Sequence, residues 1–504
     1  MLKLAEKSRK WWILLAMSSS LALVFIDQTA LAVALPAIQR ELNLSNSLSQ
    51  WVINAYLLAL SAIILLGGKI GDRLGHKRAF LAGVIVFITA STLAALAESG
   101  AWLITARAIQ GIGAAFMMPS TNALVTNAFP AQERGKALGI YIALATIFLA
   151  LGPLLGGFLT QVFSWRAVFW INFPIALISI ILAISSVPTW RRRENLYIDY
   201  LGFFISVIFI SGFVLGFMEA PNWGWTSLPI MGLFLLSIIS LITFIGWEKK
   251  IPHPLVELTL FKNLTFTTLF SVLLIIQAVA IVFVFLAIFL QNVLHYSPLM
   301  AGLLLLPAMV PIMLMAPVGG HLRDKYGPTL PMFCGALLVV LSLIWIAIFS
   351  HNRGYAWLFP GLLVYGIGMP LILSGIMATV MNMVNAQQRG MASAIFNCAR
   401  QFGNTIGLAL LTGLLASVNK WQLNSFLHHS PVPLSRLKEQ QIDGLLVQSD
   451  QAMKAIAHLS LAHIELLKTA ALNAYTNAFS MTLLAAAILA FLSLFLILKI
   501  PRKQ

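Results

Sequence analysis

Two charged residues carry the chemistry this sequence offers: Asp27, in LVFIDQTALAVALP (23–36), and Arg107, in LITARAIQGIGAA (103–115). Everything from Trp11 to Gln39 is uncharged except Asp27. In a helix rising ~1.5 Å per residue, the acid lies ~25 Å from Lys10 and ~20 Å from Arg40. An ionised carboxylate that far inside a bilayer costs at least about 3 kcal/mol unless it is paired or hydrated. A low-dielectric site disfavours the ionised form, so such an acid can load a proton on one side and release it on the other. It can equally hold the positive charge of a cationic substrate, or be a structural acid satisfied by a nearby Asn, Thr or Arg. Arg107 falls about five residues inside its own run, ~10 Å deep. An arginine that approaches Asp27 favours its ionised form, and one that leaves favours its protonated form, which would couple protonation to conformation. The bland alternatives are a static ion pair or a side chain snorkelling to the surface. Gln110, Gly111 and Asn122 follow Arg107 near one helix face and extend a polar stripe.

Further candidates sit in other runs. Arg400 is flanked at helical spacing by Asn397 and Asn404 and adjoins Gln401, so this stripe either lines a cavity or seals a helix contact. In GKIGDRLGHKR (68–78), Gly68 and Gly75 permit a tight turn, while Asp72, Arg73, Lys77 and Arg78 carry charge. Asp72 suits the N-terminus of a helix, here that of the thirteenth span, where the dipole favours an anion. Gly152, Pro153, Gly156 and Gly157 combine a small-residue packing face with a bend, and so mark either a hinge or a close helix contact. Tyr56, Phe116, Met117 and Met118 are apolar residues of the kind that form an adaptable pocket, although most such residues face lipid or core.

The elements that position these residues are membrane helices. The 504 residues are 60% hydrophobic and 10% charged, with mean hydropathy +0.90. A soluble domain has about 25% charged residues. Apolar runs give about fourteen spans, from 11–37 to 473–498, far longer than the ~10-residue strands of a membrane barrel. With the N-terminus inside, 22 of the 32 Lys and Arg fall in inner segments and 8 in outer ones, with Arg107 and Arg400 inside spans. That bias places both termini in the cytoplasm. The net charge of +16 is spread over short loops, which argues against a nucleic-acid surface. Cys334 and Cys398 lie in apolar runs and imply neither a disulfide framework nor a metal site, and His428 and His429 adjoin without a ligand set. No Walker loop is present, so ATP is not the drive, and no cofactor is expected.

The chain repeats itself. GKIGDRLG (68–75) recurs as GHLRDKYG (320–327), and AQERGKA (131–137) as AQQRGMA (386–392), at nearly one offset. Asp324 and Lys325 are thus the second-half partners of the first loop motif. The repeat pairs spans 1–6 with spans 9–14 and leaves spans 7 and 8 as an insertion. We read an N-terminal six-helix bundle (1–190), a two-helix insertion with linkers (191–263) and a C-terminal six-helix bundle (264–504). Two halves in one orientation are what a rocking transporter has. The outer segment 418–472 is the longest loop, with amphipathic stretches at LSRLKEQQIDGLLVQ and AIAHLSLAHIELLKTAAL. It reads as a solvated excursion, with docking of an envelope adaptor as the alternative.

Together these stretches resemble the major facilitator superfamily, and more closely its fourteen-helix drug:proton antiporter branch, the EmrB/QacA type. IDQTALAVALP (26–36), GGKIGDRLGHKR (67–78), LITARAIQGIGAA (103–115), LGPLLGG (151–157), WRAVFWINFP (165–174) and RGMASAIFNCARQFGNTIG (389–407) carry the resemblance in order along the chain. One position departs: Phe148 stands where the antiporter motif usually has a glycine. The resemblance implies an all-α major facilitator fold of 6+2+6 helices, with the first and fourth helices beside a central cavity. It implies that the Gly68–Arg78 loop is a cytoplasmic gate locking the outward-open state. It implies export of lipophilic or cationic compounds from the bacterial inner membrane in exchange for protons. The alternative on the same fold is a proton-independent facilitator or importer of a metabolite.

Overall fold

A computed structural model describes residues 6–130, 133–188, 199–252, 254–384, 389–429 and 460–500. The chain is built from α1 (Glu6–Glu41), α2 (Asn46–Leu74), α3 (His76–Ala95), α4 (Gly100–Ala128), α5 (Arg134–Val162), α6 (Ala167–Ser186) and α7 (Tyr200–Trp223). It continues through α8 (Leu228–Glu248), α9 (Leu264–Asn292), α10 (Pro298–Tyr326), α11 (Thr329–Phe349), α12 (Tyr355–Met383), α13 (Arg389–His429) and α14 (Leu461–Ile497). Among the described residues 13 of these are long and apolar enough to cross a membrane, and the described apolar part of α5 is Ile147–Val162. The all-helical expectation holds.

Sequence sets the helix starts. Ser45, Ser99, Ser297 and Ser460 each accept a backbone N–H from three residues on, and Asp199 and Asn263 cap α7 and α9 the same way. The two loop motifs end α2 and α10 on Gly75 and Gly327, at φ +95° and +79°. Only glycine adopts that conformation without strain, so the repeated final glycine of the motif is a stop signal. In α6 the helix breaks at Ile171. Pro174 has no N–H to give the preceding turn, and the break presents the Phe169 carbonyl to Ser91.

The packing follows the sequence repeat. α2, α3 and α4 pack together as α10, α11 and α12 do, and α1 lies on α5 as α9 lies on α13. The halves meet along two seams related by the same operation, α2 with α13 and α5 with α10, with α1 against α9 between them. Each span reverses the last, so α1 begins and α14 ends on one face, called here the terminal face. There Arg9 donates to the Ser186 carbonyl at 2.7 Å, and Thr329 Oγ1 to the Ile500 carbonyl at 3.2 Å. The opposite face is the closed one. A Cβ on Gly157 would collide with the Pro298 carbonyl, and one on Gly302 with the Pro153 carbonyl. Gln161 Oε1 accepts from Leu299 N at 3.2 Å, and Gln291 Nε2 donates to the Val33 carbonyl at 2.8 Å.

The insertion is not an appendage. α7 stands along the α2–α13 seam: Trp51 Nε1 donates to Glu219 at 2.8 Å, and Phe209 meets Phe402 edge-on at 5.5 Å. α8 turns Leu228, Leu235 and Ile242 outward, the pattern of a helix in lipid. The last two helices run further than the apolar runs suggested, α13 to His429 and α14 from Leu461, so they shorten the 418–472 loop from both ends. The middle of that loop, including the first amphipathic stretch, lies outside the described residues, as do the His428 and His429 side chains.

Candidate functional site

Asp27 is fully buried and is held by three donors. Arg107 Nη1 reaches Oδ2 at 2.6 Å, Gln110 Nε2 reaches Oδ1 at 2.9 Å, and Asn172 Nδ2 lies 3.4 Å from Oδ1. Arg107 is itself fully buried, so it does not snorkel. Its Nη1 also reaches Gln110 Oε1 at 2.6 Å, and its Nε donates to the Val52 carbonyl at 3.0 Å. Its guanidinium stacks 4.4 Å above the Tyr56 ring. Asn172 donates on to Ser91 Oγ at 2.9 Å, and Ser91 to the Phe169 carbonyl at 2.9 Å. Arg107 Nη2 and Asn172 Oδ1 are buried with no hydrogen-bond partner among the described residues.

The geometry locates this network. Its members come from α1, α2, α3, α4 and α6, all in the N-terminal bundle. Asp27 therefore points into that bundle, while Phe25, two residues earlier on α1, points the other way to Arg400. Gln110, the next member of the polar stripe after Arg107, is fully buried beside Asp27. Its place three residues after Arg107 puts both side chains on one face, and both are drawn to the carboxylate. Asn122 is partly exposed on the same helix. Sequence reasoning named Arg107 and Gln110 but missed Ser91 and Asn172. The available signal was Asn172, an amide inside an apolar run two residues before a proline.

A second polar group lies where the halves meet. Arg400 of α13 stacks over the Phe25 ring at 5.2 Å. Gln401, fully buried, donates to the Met118 sulfur at 3.5 Å. Thr405, one turn on, bonds the Leu57 carbonyl at 3.1 Å and Ser61 Oγ at 3.2 Å. On α13, Gln401 and Thr405 seal the seam with α2 and α4, while Asn397, Arg400 and Asn404 stay partly exposed.

The loop motif is engaged locally. Asp72 Oδ1 lies 3.1 Å from His76 Nε2, and its side chain is 47% exposed. Lys77 donates to the Ile184 carbonyl at 3.2 Å, which ties α3 to the end of α6, while Arg73 and Arg78 are exposed. Gly68 faces Pro119 of α4 across 3.6 Å from an ideal Cβ. The side chains of Asp324 and of Arg389 at the start of α13 lie outside the described residues. In α5, Gly152 and Gly156 pack on Thr29 and Ala30 of α1, and Gly157 on Pro298 of α10, beside Pro153. The Trp-Arg pair after α5 clasps the end of α1: Trp165 Nε1 donates to Glu41 Oε2 at 2.7 Å, and Arg166 pairs with the other carboxylate oxygen.

Comparison with known proteins agrees with this architecture. The family model of the Major Facilitator Superfamily matches residues 17–408. The chain is 32% identical over 426 residues to the multidrug resistance protein Stp of Mycobacterium tuberculosis, covering 84% of this chain and 79% of that one. It is 31% identical to the tetracenomycin C resistance and export protein of Streptomyces glaucescens, covering 82% and 77%. Its fold is like that of a bacterial homolog of the human lysosomal transporter Spinster, with TM-score 0.67 at 17% identity over 99% of this chain and 98% of that one.

Proposed function

The chain belongs to the Major Facilitator Superfamily, and from that premise we propose that it is a proton-coupled exporter of lipophilic small molecules. It is a transporter, not an enzyme, and a multi-pass protein of the bacterial inner membrane. Drug export follows the relatives whose names record multidrug resistance and tetracenomycin C export. Proton coupling rests on one observation: Asp27, the acid deep in a span, is buried in a network whose other members can hold Arg107 without it.

The coupling would work as follows. While Asp27 is ionised, the pair with Arg107 is neutral overall and closed. A proton on Asp27 cancels its charge and frees Arg107 Nη1. The arginine then still has the Gln110 carbonyl oxygen, the Val52 carbonyl and the Tyr56 ring. A cation over an aromatic face is worth up to about 2 kcal/mol when desolvated, so the freed charge is partly compensated in place. Protonation thus changes what ties α1 to α4 without stranding a bare cation. On the Lys and Arg excess the terminal face lies in the cytoplasm, which makes the closed opposite face the outer one. The proton gradient is the drive, and no cofactor is required. A direct role for Asp27 in holding a cationic substrate fits less well, because the carboxylate is already neutralised and faces away from the seam between the halves.

Inverted membrane vesicles with an imposed pH gradient test the reading. Wild type is expected to accumulate substrate uphill and to stop when the gradient is collapsed. Persistent transport without a gradient would favour the facilitator instead.

A further inference from the structure

The proton network leaves one intramembrane charge unused. Arg400 lies ~16 Å along α13 from Arg389, at the depth where a charged side chain needs a counter-charge. Among the described residues no carboxylate lies within 4 Å of it, and each ion pair found involves other groups. Asp27 cannot serve, because it points to the far side of α1 and is already held by Arg107. Among the described residues the neighbours that can be named for Arg400 are aromatic and neutral. Phe25 of α1 lies beneath the guanidinium at 5.2 Å, and Tyr141 of α5 is within electrostatic reach. The Tyr141 hydroxyl shares a 2.6 Å bond with Thr121 Oγ1, whose own proton goes to the Met118 carbonyl at 2.8 Å. Tyr141 is therefore the donor in that pair, and its oxygen keeps lone pairs for a cation.

Arg400 is also reachable. Ser393, Asn397, Arg400 and Asn404 recur at helical spacing and are all partly exposed, whereas Ala392, Phe396, Ala399 and Gln401 are buried. Because Phe25 and Tyr141 belong to the N-terminal half, this exposed stripe faces the space between the halves, not lipid. Buried aromatic rings behind a few partly exposed amides, with one planar cation that has no carboxylate partner among the described residues, suit a flat apolar molecule with a negative group. Guanidinium binds carboxylate and sulfonate oxygens in a fork that ammonium cannot match.

Resting on the exporter reading above, we propose that Arg400 is the anion-recognising residue of the substrate pocket, and that the exporter carries aromatic organic anions. Their ring lies against Phe25 and Tyr141, and their charge is met by Arg400.

The test is binding to the full chain in nanodiscs of two probes with one ring system. These are 1-anilinonaphthalene-8-sulfonate and N-phenyl-1-naphthylamine, which lacks the sulfonate. Arg400→Gln should weaken sulfonate binding about tenfold or more, the loss of one charged hydrogen-bonded contact, and leave the neutral probe within about twofold. Arg400→Lys should fall between the two for the sulfonate. Equal losses for both probes, or no loss for the sulfonate, overturn the proposal. Retained binding of the neutral probe shows that Arg400→Gln is folded. If it is not, wild type decides: 1-naphthoate should displace the sulfonate probe and 1-naphthamide should not, and equal displacement overturns the proposal. Export by wild-type vesicles separates the two readings. Failure to export either probe counts against the exporter, whereas export of both with Arg400→Gln showing no selective loss sinks the anion site alone.

Discussion

Replacing Asp27 by Asn keeps the shape of the side chain and removes its charge. Three donors converge on the carboxylate, from Arg107, Gln110 and Asn172. An Asn offers one oxygen to them and turns an NH2 toward the rest. Arg107 would remain fully buried with no carboxylate partner. Removing one member of a buried pair costs about 3–5 kcal/mol, and the lower end applies here because Gln110, the Val52 carbonyl and the Tyr56 ring still hold Arg107. Removing both should cost much less, since Asp27→Asn with Arg107→Gln leaves a neutral amide network. The expected result is therefore non-additive: the double variant is more stable than the Asp27→Asn single, with a coupling energy of about 2–3 kcal/mol. Thermal unfolding of the four proteins in one detergent measures it. Uphill export in inverted vesicles should be lost in Asp27→Asn and in the double variant, even where stability returns. If the two single losses simply add, the pair is not energetically coupled. If Asp27→Asn still drives uphill export, Asp27 is not the proton carrier, whatever the stability data say.

Arg107→Lys keeps the charge but removes the Nε contact to Val52 and the stacking on Tyr56; uphill export should fall about tenfold or more, with an altered pH dependence, and an unaltered pH profile would defeat the switching role. Asn172→Ala removes donors to both Asp27 and Ser91; it should destabilise by about 1–2 kcal/mol, read as a lower unfolding midpoint, and an unchanged midpoint would mean that the second amide layer is ornamental. Gly157→Val drives a side chain into the backbone of Pro298 and Leu299 and should hold the opposite face apart. In a background without Cys334 and Cys398, a cysteine at Gln291 should then label faster from that side, and unchanged labelling would count against Gly157 as part of the outer closure.

How much of this was legible in the sequence follows from range. The helices were, because an apolar run of span length has one solution in a bilayer. The two-fold arrangement was, because two short motifs recur at one offset and their last glycines, Gly75 and Gly327, both sit at positive φ. The Asp27–Arg107 pair was, because each is costly alone and the resemblance set their helices side by side. The direction in which they point was not. A span's sequence says that Asp27 is deep, and nothing local says which side of α1 faces the other half. Nor does anything local say that Gln110 turns to the same carboxylate. Arg400 shows the converse: its isolation was legible, but only the placement of Phe25 and Tyr141 shows that aromatic rings, not an acid, receive it.

The two charged sites are separate, and α1 is what joins them. Asp27 on one side of this helix is tied to α4 and α6. Phe25, on another, carries Arg400 of the opposite half. Thr29 and Ala30 lie against Gly152 and Gly156 with no room for a Cβ between, and the Val33 carbonyl accepts from Gln291 at the closed face. Residues 25–33 of one helix thus touch the Asp27 network, the proposed substrate cation, the glycine face of α5 and the closed face. An antiporter must forbid proton and substrate from crossing together, and placing both in one cavity is one way to do so. In the arrangement proposed above the two sites are on different faces of one helix. On the proposed coupling a proton on Asp27 would loosen α1 from α4, and a helix packed this closely on α5 would move as a unit rather than bend around each contact. Competition between proton and substrate then requires no overlap of their sites. It requires only that α1 have two positions and that each ligand favour a different one.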